Sequence, residues 1–248
     1  MSTPKERSDS GVLYVRASLK PFARAVRAAG GVREFLAEHF GHEELFAPYF
    51  MRARPFWERP SVVERETNSG ALGKKLAEYP EATLSNHPSH RFVGFGARVS
   101  GVLRRHDYMT SCFQPVRDLA ESGDFSMLLL GCTEDSPGFS TVHAAQHDLG
   151  LTQKHLFRYL VRWDVGTPQE PRAITATESP GCSLSFGKFY SEYEKDGNLR
   201  RGELLGQRYI YIPSALRALA AEKKILSSNP RFVDCGRLLC STCRFRLY

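Results

Sequence analysis

The stretch "FSMLLLGCTEDSPGFSTVHAAQHDLG" (125–150) decides how the rest of the chain is read. Its "SMLLLG" is an unbroken apolar run of strand length. Such a run does not alternate, so it predicts a central strand covered on both faces. The second half opens on a Ser-Thr pair and continues with Val142, Ala145 and Leu149 at helical spacing, so a helix capped by Ser140 is predicted there. His143, Gln146 and His147 share a different face of that helix, because residues three and four apart are neighbours. On this reading the histidines project from the first turns rather than into the core. The end of a strand followed by a helix N-terminus is where α/β proteins bind ligands, and the leading N–H groups favour an anion or a developing oxyanion.

Spacing alone leaves three readings of the two histidines open. His143 can be a general base oriented by a neighbour. The H-x-x-x-H spacing suits zinc, although Ala144 holds the place that glutamate takes in H-E-x-x-H. Or both histidines simply line a polar face of an ordinary helix.

Working outward, "VLYVRASL" (12–19) is β-rich and predicts a strand. "GGVREFLAEHFG" (30–41) places Val32, Phe35, Leu36 and Phe40 on one helical stripe that stops at Gly41. "APYFMRARPFWERPSVVERETN" (47–68) is rich in Pro and Arg and is expected to be an irregular connection. "GALGKKLAEYP" predicts a short helix ending before Pro80. In "HPSHRFVGFGARVSGVL" (87–103), Phe92, Phe95, Val99 and Leu103 follow helical spacing, with Gly94 and Gly96 marking a close backbone approach. A helix opening near Pro88, capped by Asn86 or Ser89, is expected there. "QPVRDLAESGD" predicts a helix with Pro115 in its first turn and Gly123 near its end. "HLFRYLVRWDV" leads through Pro168 and Pro171 into further β structure, and "QRYIYI" (207–212) is a strand. Ser214 is the expected cap of the last long helix, whose Lys223 and Lys224 suit its C-terminal dipole. Alternating strands and helices predict an α/β fold, a central mixed sheet flanked by helices.

The 248 residues, 42% of them hydrophobic, suffice for one sizeable domain. Residues 12–226 are expected to form it, with 1–11 a disordered lead and 227–248 a cysteine-containing tail. No run of 18 apolar residues occurs, and the polar N-terminus has no apolar core of a secretory signal, so a cytoplasmic protein without a membrane partner is expected. The net charge of +7 disfavours polycationic substrates and favours anionic ones. No basic patch interleaved with aromatics is found, so no nucleic acid is expected as a partner. Cys240 and Cys243 form a C-x-x-C, which alone is half of a zinc site; Cys235 lies near it, and Cys182 or a histidine would have to complete it. Reduced thiols and no metal are the expectation. The polar cluster "SNHPSHR" (85–91) offers His87, Ser89, His90 and Arg91 either to a ligand or to a plain capped loop.

Taken in order, these segments resemble the aminoglycoside 3-N-acetyltransferase family. "VLYVRASLKPF" is similar to that family's opening "V-x-V-H-x-S-L" strand. The block from "ETNSGALGKKLAEYP" to "SNHPSHRFVGFGARV" resembles its "G-x-L-x-E-x-x-R-x-x-P…R-S-x-H-P-x-x-S-x-x-A-x-G". "PVRDLAESGDFSMLLLGC" and "STVHAAQH" resemble its "P-L-x-x-L-x-x-x-G-G-x-x-L-L-L-G-V" and "T-x-L-H-x-A-E-H".

The resemblance implies an acyltransferase that passes an acetyl or other acyl group from acetyl-CoA, another acyl-CoA or an acyl carrier protein directly to a small-molecule amine. It implies His143 as the catalytic base with Gln146 as its orienting neighbour. It implies cofactor contacts at Ser18, Ser140 and Thr141, and acceptor contacts at His87, Arg91 and His147. Three positions depart from the pattern: Gln146 stands where it has Glu, Arg16 where it has His, and Arg91 where it has Ser. An amide orients an imidazole without supplying a counter-charge, and two added arginines repel a polycation. The expected acceptor is therefore a neutral or anionic amine, such as a natural-product biosynthetic intermediate. The alternatives are an aminoglycoside acetyltransferase that confers resistance and an acyl-CoA-binding pseudoenzyme.

Overall fold

The computed structural model describes residues 11–51, 54–62, 67–133 and 137–244, so all of the expected N-terminal lead except Gly11 lies outside the described residues. The chain enters on β1 (Val12–Ala17), passes through α1 (Ala23–Ala28) and α2 (Val32–Phe40), and returns on β2 (Glu44–Phe50). The short β3 (Arg54–Pro55), α3 (Ala71–Leu76), β4 (Thr83–Leu84), β5 (His90–Gly94), α4 (Ala97–Leu103) and α5 (Gln114–Glu121) follow. Next come β6 (Phe125–Leu130) and α6 (Thr141–Asp148) from the stretch quoted first. The second half adds β7 (Val161–Gly166), β8 (Pro171–Thr175), α7 (Tyr190–Lys195), β9 (Arg200–Leu204), β10 (Gln207–Ile212), α8 (Ala215–Ser228) and α9 (Ser241–Arg244).

Seven strands make one mixed sheet in the order β4-β5-β2-β1-β6-β10-β9. β1 is its parallel centre, paired with β2 on one side and β6 on the other, and the remaining neighbours are antiparallel. β3, β7 and β8 form a separate antiparallel sheet.

Strand side chains alternate between faces, and the core divides accordingly. Val12, Tyr14, Phe125, Met127 and Leu129 pack with residues of α4, α5, α6 and α8. Leu13, Val15, Leu128 and Leu130 pack with Val32, Phe35 and Leu36 of α2 and Leu72 and Leu76 of α3. All six residues of β6 are buried, as its unbroken apolar run predicts. Among the described residues no helix is long and apolar enough to cross a membrane.

Several expectations are corrected. The connection expected over 47–68 begins as β2, because Pro48 faces Phe92 of β5 beyond the part of β2 that pairs with β1, where its missing N–H is tolerated. Residues 52–53 and 63–66 of that stretch lie outside the described residues. The helix expected from Pro88 is instead β5 followed by α4. The apparent stripe of Phe92, Phe95, Val99 and Leu103 joins a strand to a helix across the turn at Phe95 and Gly96. Gly94 is where backbones meet: a Cβ there would strike the Leu45 carbonyl oxygen and Val99. Ser214 caps α8 by accepting from the Arg217 N–H at 3.3 Å. That helix runs on to Ser228, so Lys223 and Lys224 do not occupy its last turn. Ser227 and Ser228 close α8, and the turn at Pro230–Val233 packs against that helix with Val233 in the core.

Candidate active site

The chain leaves β1 toward α1, whose Ala25 and Val26 pack on the Leu13/Val15 face, and leaves β6 toward α6 on the opposite face. Adjacent parallel strands whose connections diverge open a crevice at their C-terminal ends. Here the Ser18 N–H bridges the crevice floor to the Leu130 carbonyl at 3.0 Å. The Cys132 thiol donates to the Arg16 carbonyl at 3.4 Å, and the Arg16 guanidinium donates to the Gly138 carbonyl at 3.0 Å. Gly138 has φ +89° and lies so close to Phe186 that a Cβ would collide with it, so no other residue type fits. Its N–H donates to the Tyr190 hydroxyl at 2.8 Å.

Ser140 joins this floor to α6, but not as expected. Its hydroxyl shares a buried hydrogen bond with Tyr14 of β1 at 2.6 Å and makes no capping bond. Thr141 is fully buried and donates to Glu222 of α8 at 2.7 Å. Tyr193 donates to the same carboxyl oxygen. Burial pushes the Glu222 carboxyl up to about 8, against the pull of both hydroxyls and of Lys223.

His143 lies in the first turn of α6. It does not project into solvent: it is 8% exposed, with Phe113 stacked on its ring (centroids 4.6 Å apart) and Phe186 edge-on at 4.7 Å. Its Nδ1 lies 3.0 Å from Gln146 Oε1. A carbonyl oxygen accepts, so this contact fixes the tautomer with the proton on Nδ1 and the lone pair on Nε2. The ring is held by an aromatic clamp and one hydrogen bond, which leaves Nε2 as the nitrogen able to take a proton. His147, the other member of the expected face, is half-buried instead. Its Nδ1 is 3.7 Å from the Asp148 carboxylate, which Lys223 and Arg117 also approach, at 2.5 and 3.4 Å. The close Lys223 ammonium, with the charge of Arg117, holds Asp148 down near 2 despite partial burial.

The second polar cluster meets the first through Phe113, whose ring is 5.2 Å from His90 as well as stacked on His143. His87 is completely buried, stacks on His106 at 4.8 Å and meets Trp163 edge-on. Its Nδ1 accepts from the N–H groups of Ser89 and His90, at 3.2 and 3.1 Å, while its Nε2 has no hydrogen-bond partner among the described residues. Arg91 is buried and donates from Nε to the His87 carbonyl at 3.2 Å. Desolvation pushes His87 well below the usual imidazole range, His90 to about 4 and His106 to about 3, so all three are neutral near pH 7. His87, His90 and Cys112 converge closely enough to suggest a metal trio. Both Nδ1 atoms are already engaged, His87's as above and His90's with the Ser89 hydroxyl at 2.8 Å.

The structure thus brings together His143, Gln146, Ser140 and the β1 end that carries Arg16 and Ser18. Phe113, Phe186 and Glu222 were not singled out from the sequence. Two are apolar residues far from His143 along the chain, and Glu222 sits in a helix rich in ordinary charges.

A family model for aminoglycoside 3-N-acetyltransferase matches residues 42–226. The chain belongs to that family. Its activity is therefore that of a CoA-dependent acetyltransferase. Among solved structures, the apoenzyme of aminoglycoside acetyltransferase AAC(3)-IVa superposes with a TM-score of 0.71 at 19% identity, covering 96% of this chain and 90% of that one. The YokD protein from Bacillus subtilis gives 0.71 at 17% identity, covering 90% and 89%. AAC-IIIb solved with CoASH gives 0.64 at 20% identity, covering 92% of each chain. At these identities the likeness speaks for the fold. No curated protein matches the chain.

Proposed function

We propose that the protein transfers an acyl group from a CoA thioester to a neutral or anionic amine, with His143 as the base. The observation that carries the reading is the His143–Gln146 pair, which directs a lone pair from an aromatic clamp beside the β1/β6 crevice. The amine nitrogen attacks the thioester carbonyl while Nε2 of His143 takes its proton. The resulting oxyanion lies beside backbone N–H groups at the start of α6. Collapse of the tetrahedral intermediate expels the CoA sulfur, which recovers the proton from the imidazolium. The products are an amide and free CoA.

CoA as donor is supported by family membership and by the CoASH bound to the related AAC-IIIb. An acyl carrier protein presents the same pantetheine thioester, and its acidity suits a chain of net charge +7. Ser18 and Ser140, at the crevice floor, are the residues we assign to the pantetheine arm. The non-aminoglycoside acceptor rests on Arg16, whose guanidinium stands at the crevice, and on the absence of a carboxylate at Gln146. Transfer to an aminoglycoside is the second reading, favoured by the family match.

The test is a thiol-release assay with acetyl-CoA and a panel of neutral, anionic and polycationic amines, including sisomicin. Faster turnover of a neutral or anionic amine supports the proposal, and selective turnover of the aminoglycoside replaces it with the second reading.

A further inference from the structure

Outside the crevice, four of the six cysteines converge. Cys182 precedes the turn that carries Phe186, whereas Cys235, Cys240 and Cys243 belong to the C-terminal segment more than fifty positions later. Their four sulfurs all lie within 4.8 Å of one another. We propose that Cys182, Cys235, Cys240 and Cys243 form a tetrathiolate zinc site that ties the C-terminal segment to the Phe186 turn.

The geometry fits a metal better than paired disulfides. A tetrahedral ion with Zn–S bonds of about 2.3 Å separates its sulfurs by roughly 3.8 Å. The Cys243 and Cys235 sulfurs are 3.6 Å apart, far beyond the ~2.05 Å of a disulfide. Two disulfides would pair the sulfurs, whereas here all four share one small volume.

The surrounding backbone also fits. Cys240 and Cys243 form a C-x-x-C at the start of α9, where the Cys243 N–H donates to the Cys240 carbonyl at 3.2 Å and closes the turn that brings the two thiols together. The Leu184 N–H points to the Cys182 sulfur and the Cys235 N–H to that of Cys243. Such N–H···S bonds orient thiolate ligands and offset their charge. Four thiolates on a divalent ion leave two negative charges, and Arg237 and Arg244 flank the ligands in sequence. An all-thiolate tetrahedral donor set selects zinc over hard cations.

Among the described residues, the part of the segment that carries the thiols is not anchored by its own apolar side chains. Leu238 and Leu239 are 79% and 91% exposed, so the cysteines do not converge around an apolar core. Polar contacts flank the cluster. Ser185 donates to the Val233 carbonyl, Lys188 to the carbonyls of Phe232 and Asp234, and His155 Nε2 contacts the Thr242 carbonyl. A metal would close a long loop across α7, β9, β10 and α8, where a crosslink restricts the unfolded chain most. Its consequence reaches the crevice, since Phe186, four residues after Cys182, is one wall of the His143 clamp. The site is independent of which amine is acylated.

The experiment is elemental analysis of the protein purified under reducing conditions without added metal, with native mass spectrometry of the same sample. About one zinc per chain is expected. Cys182→Ser and Cys240→Ser should each drop that to under about a tenth, while Cys132→Ser, outside the cluster, should retain it. Should the ligand variants fail to fold, cobalt exchange into the unaltered protein keeps the proposal testable. Thiolate-to-cobalt charge transfer with tetrahedral d–d bands supports it. A metal-free chain whose thiols all react with a thiol reagent, a mass deficit showing a Cys235–Cys243 disulfide, or iron in place of zinc overturns it.

Discussion

Gln146 places its side-chain oxygen 3.0 Å from Nδ1 of His143, so an amide holds the ring where the family pattern has a carboxylate. An amide fixes the tautomer but supplies no counter-charge to the imidazolium that forms when the base takes a proton. In the proposed mechanism the orientation of the base is therefore separable from its strength. Replacing His143 removes both. His143→Ala should lower kcat/KM by about 10²–10⁴-fold, the usual worth of a positioned general base, with KM for the acyl-CoA nearly unchanged. The check is steady-state kinetics beside a circular dichroism melt. A loss of rate matched by a loss of folded protein would move His143 from chemistry to structure.

Gln146→Glu isolates the strength of the base. An opposite charge within about 4–6 Å raises an imidazole pKa by roughly 1–3. The acid limb of the kcat/KM profile should therefore move to higher pH, and the plateau rate should rise because the base is stronger. Gln146→Leu, which cannot accept from Nδ1, should lose rate and shift the limb, if anything, to lower pH. A pH–rate profile of the three proteins measures both effects. An unmoved limb in Gln146→Glu would mean that His143 is not the group titrating.

Glu222 links α6 to the rest of the molecule by accepting from Thr141 and Tyr193. Its carboxyl is raised from 4.5 to about 8 in the fold, so the folded state holds a proton that the unfolded state releases above about pH 4.5. The resulting stability is fully present below pH 4.5 and is lost as pH rises through 8. It is worth on the order of a few kcal/mol, since one pH unit of difference corresponds to about 1.4 kcal/mol. Glu222→Gln keeps an oxygen acceptor for both hydroxyls without a titrating proton. It should flatten the decline between pH 5 and 8 and be the more stable protein at pH 8.5. Urea melts across that range test this.

The sheet was legible in sequence where one signal acted alone. The apolar run of β6 and the stripe of α2 each declare their environment, and both elements fall where expected. The sequence misled at two places where signals overlapped. Pro48 argues against a strand, yet β2 carries it at a register position facing β5 alone, where no lost donor matters. Phe92 and Phe95 mimic a helical stripe with Val99 and Leu103 because a strand ending at Gly94 happens to hand over to a helix in phase. His143 and Gln146 were legible as a pair because they are one turn apart. Phe113 and Phe186 were not, because stacking on His143 depends on long-range packing that leaves no periodic trace. Likewise Ser140 reads as a cap, but its hydroxyl is claimed by Tyr14, 126 positions away.

Arg16 offers the sharpest test of acceptor charge. Its guanidinium donates to the Gly138 carbonyl at the crevice, where the family pattern places histidine. A permanent cation in a partly desolvated crevice attracts an anionic acceptor and repels a polycation, with strength that falls as salt screens it. Arg16→Met keeps most of the stem and removes the charge. For an anionic amine, KM should rise about 10-fold at low salt, and the salt dependence of KM should weaken, with kcat changed less. For sisomicin, KM should fall in the same variant. Because Gly138 packs on Phe186, a loss of the Arg16–Gly138 bond could also disturb the clamp, but that disturbance would lower kcat for every acceptor alike. Opposite movements of KM for anionic and polycationic amines therefore isolate the electrostatic role, and equal movements would refute it.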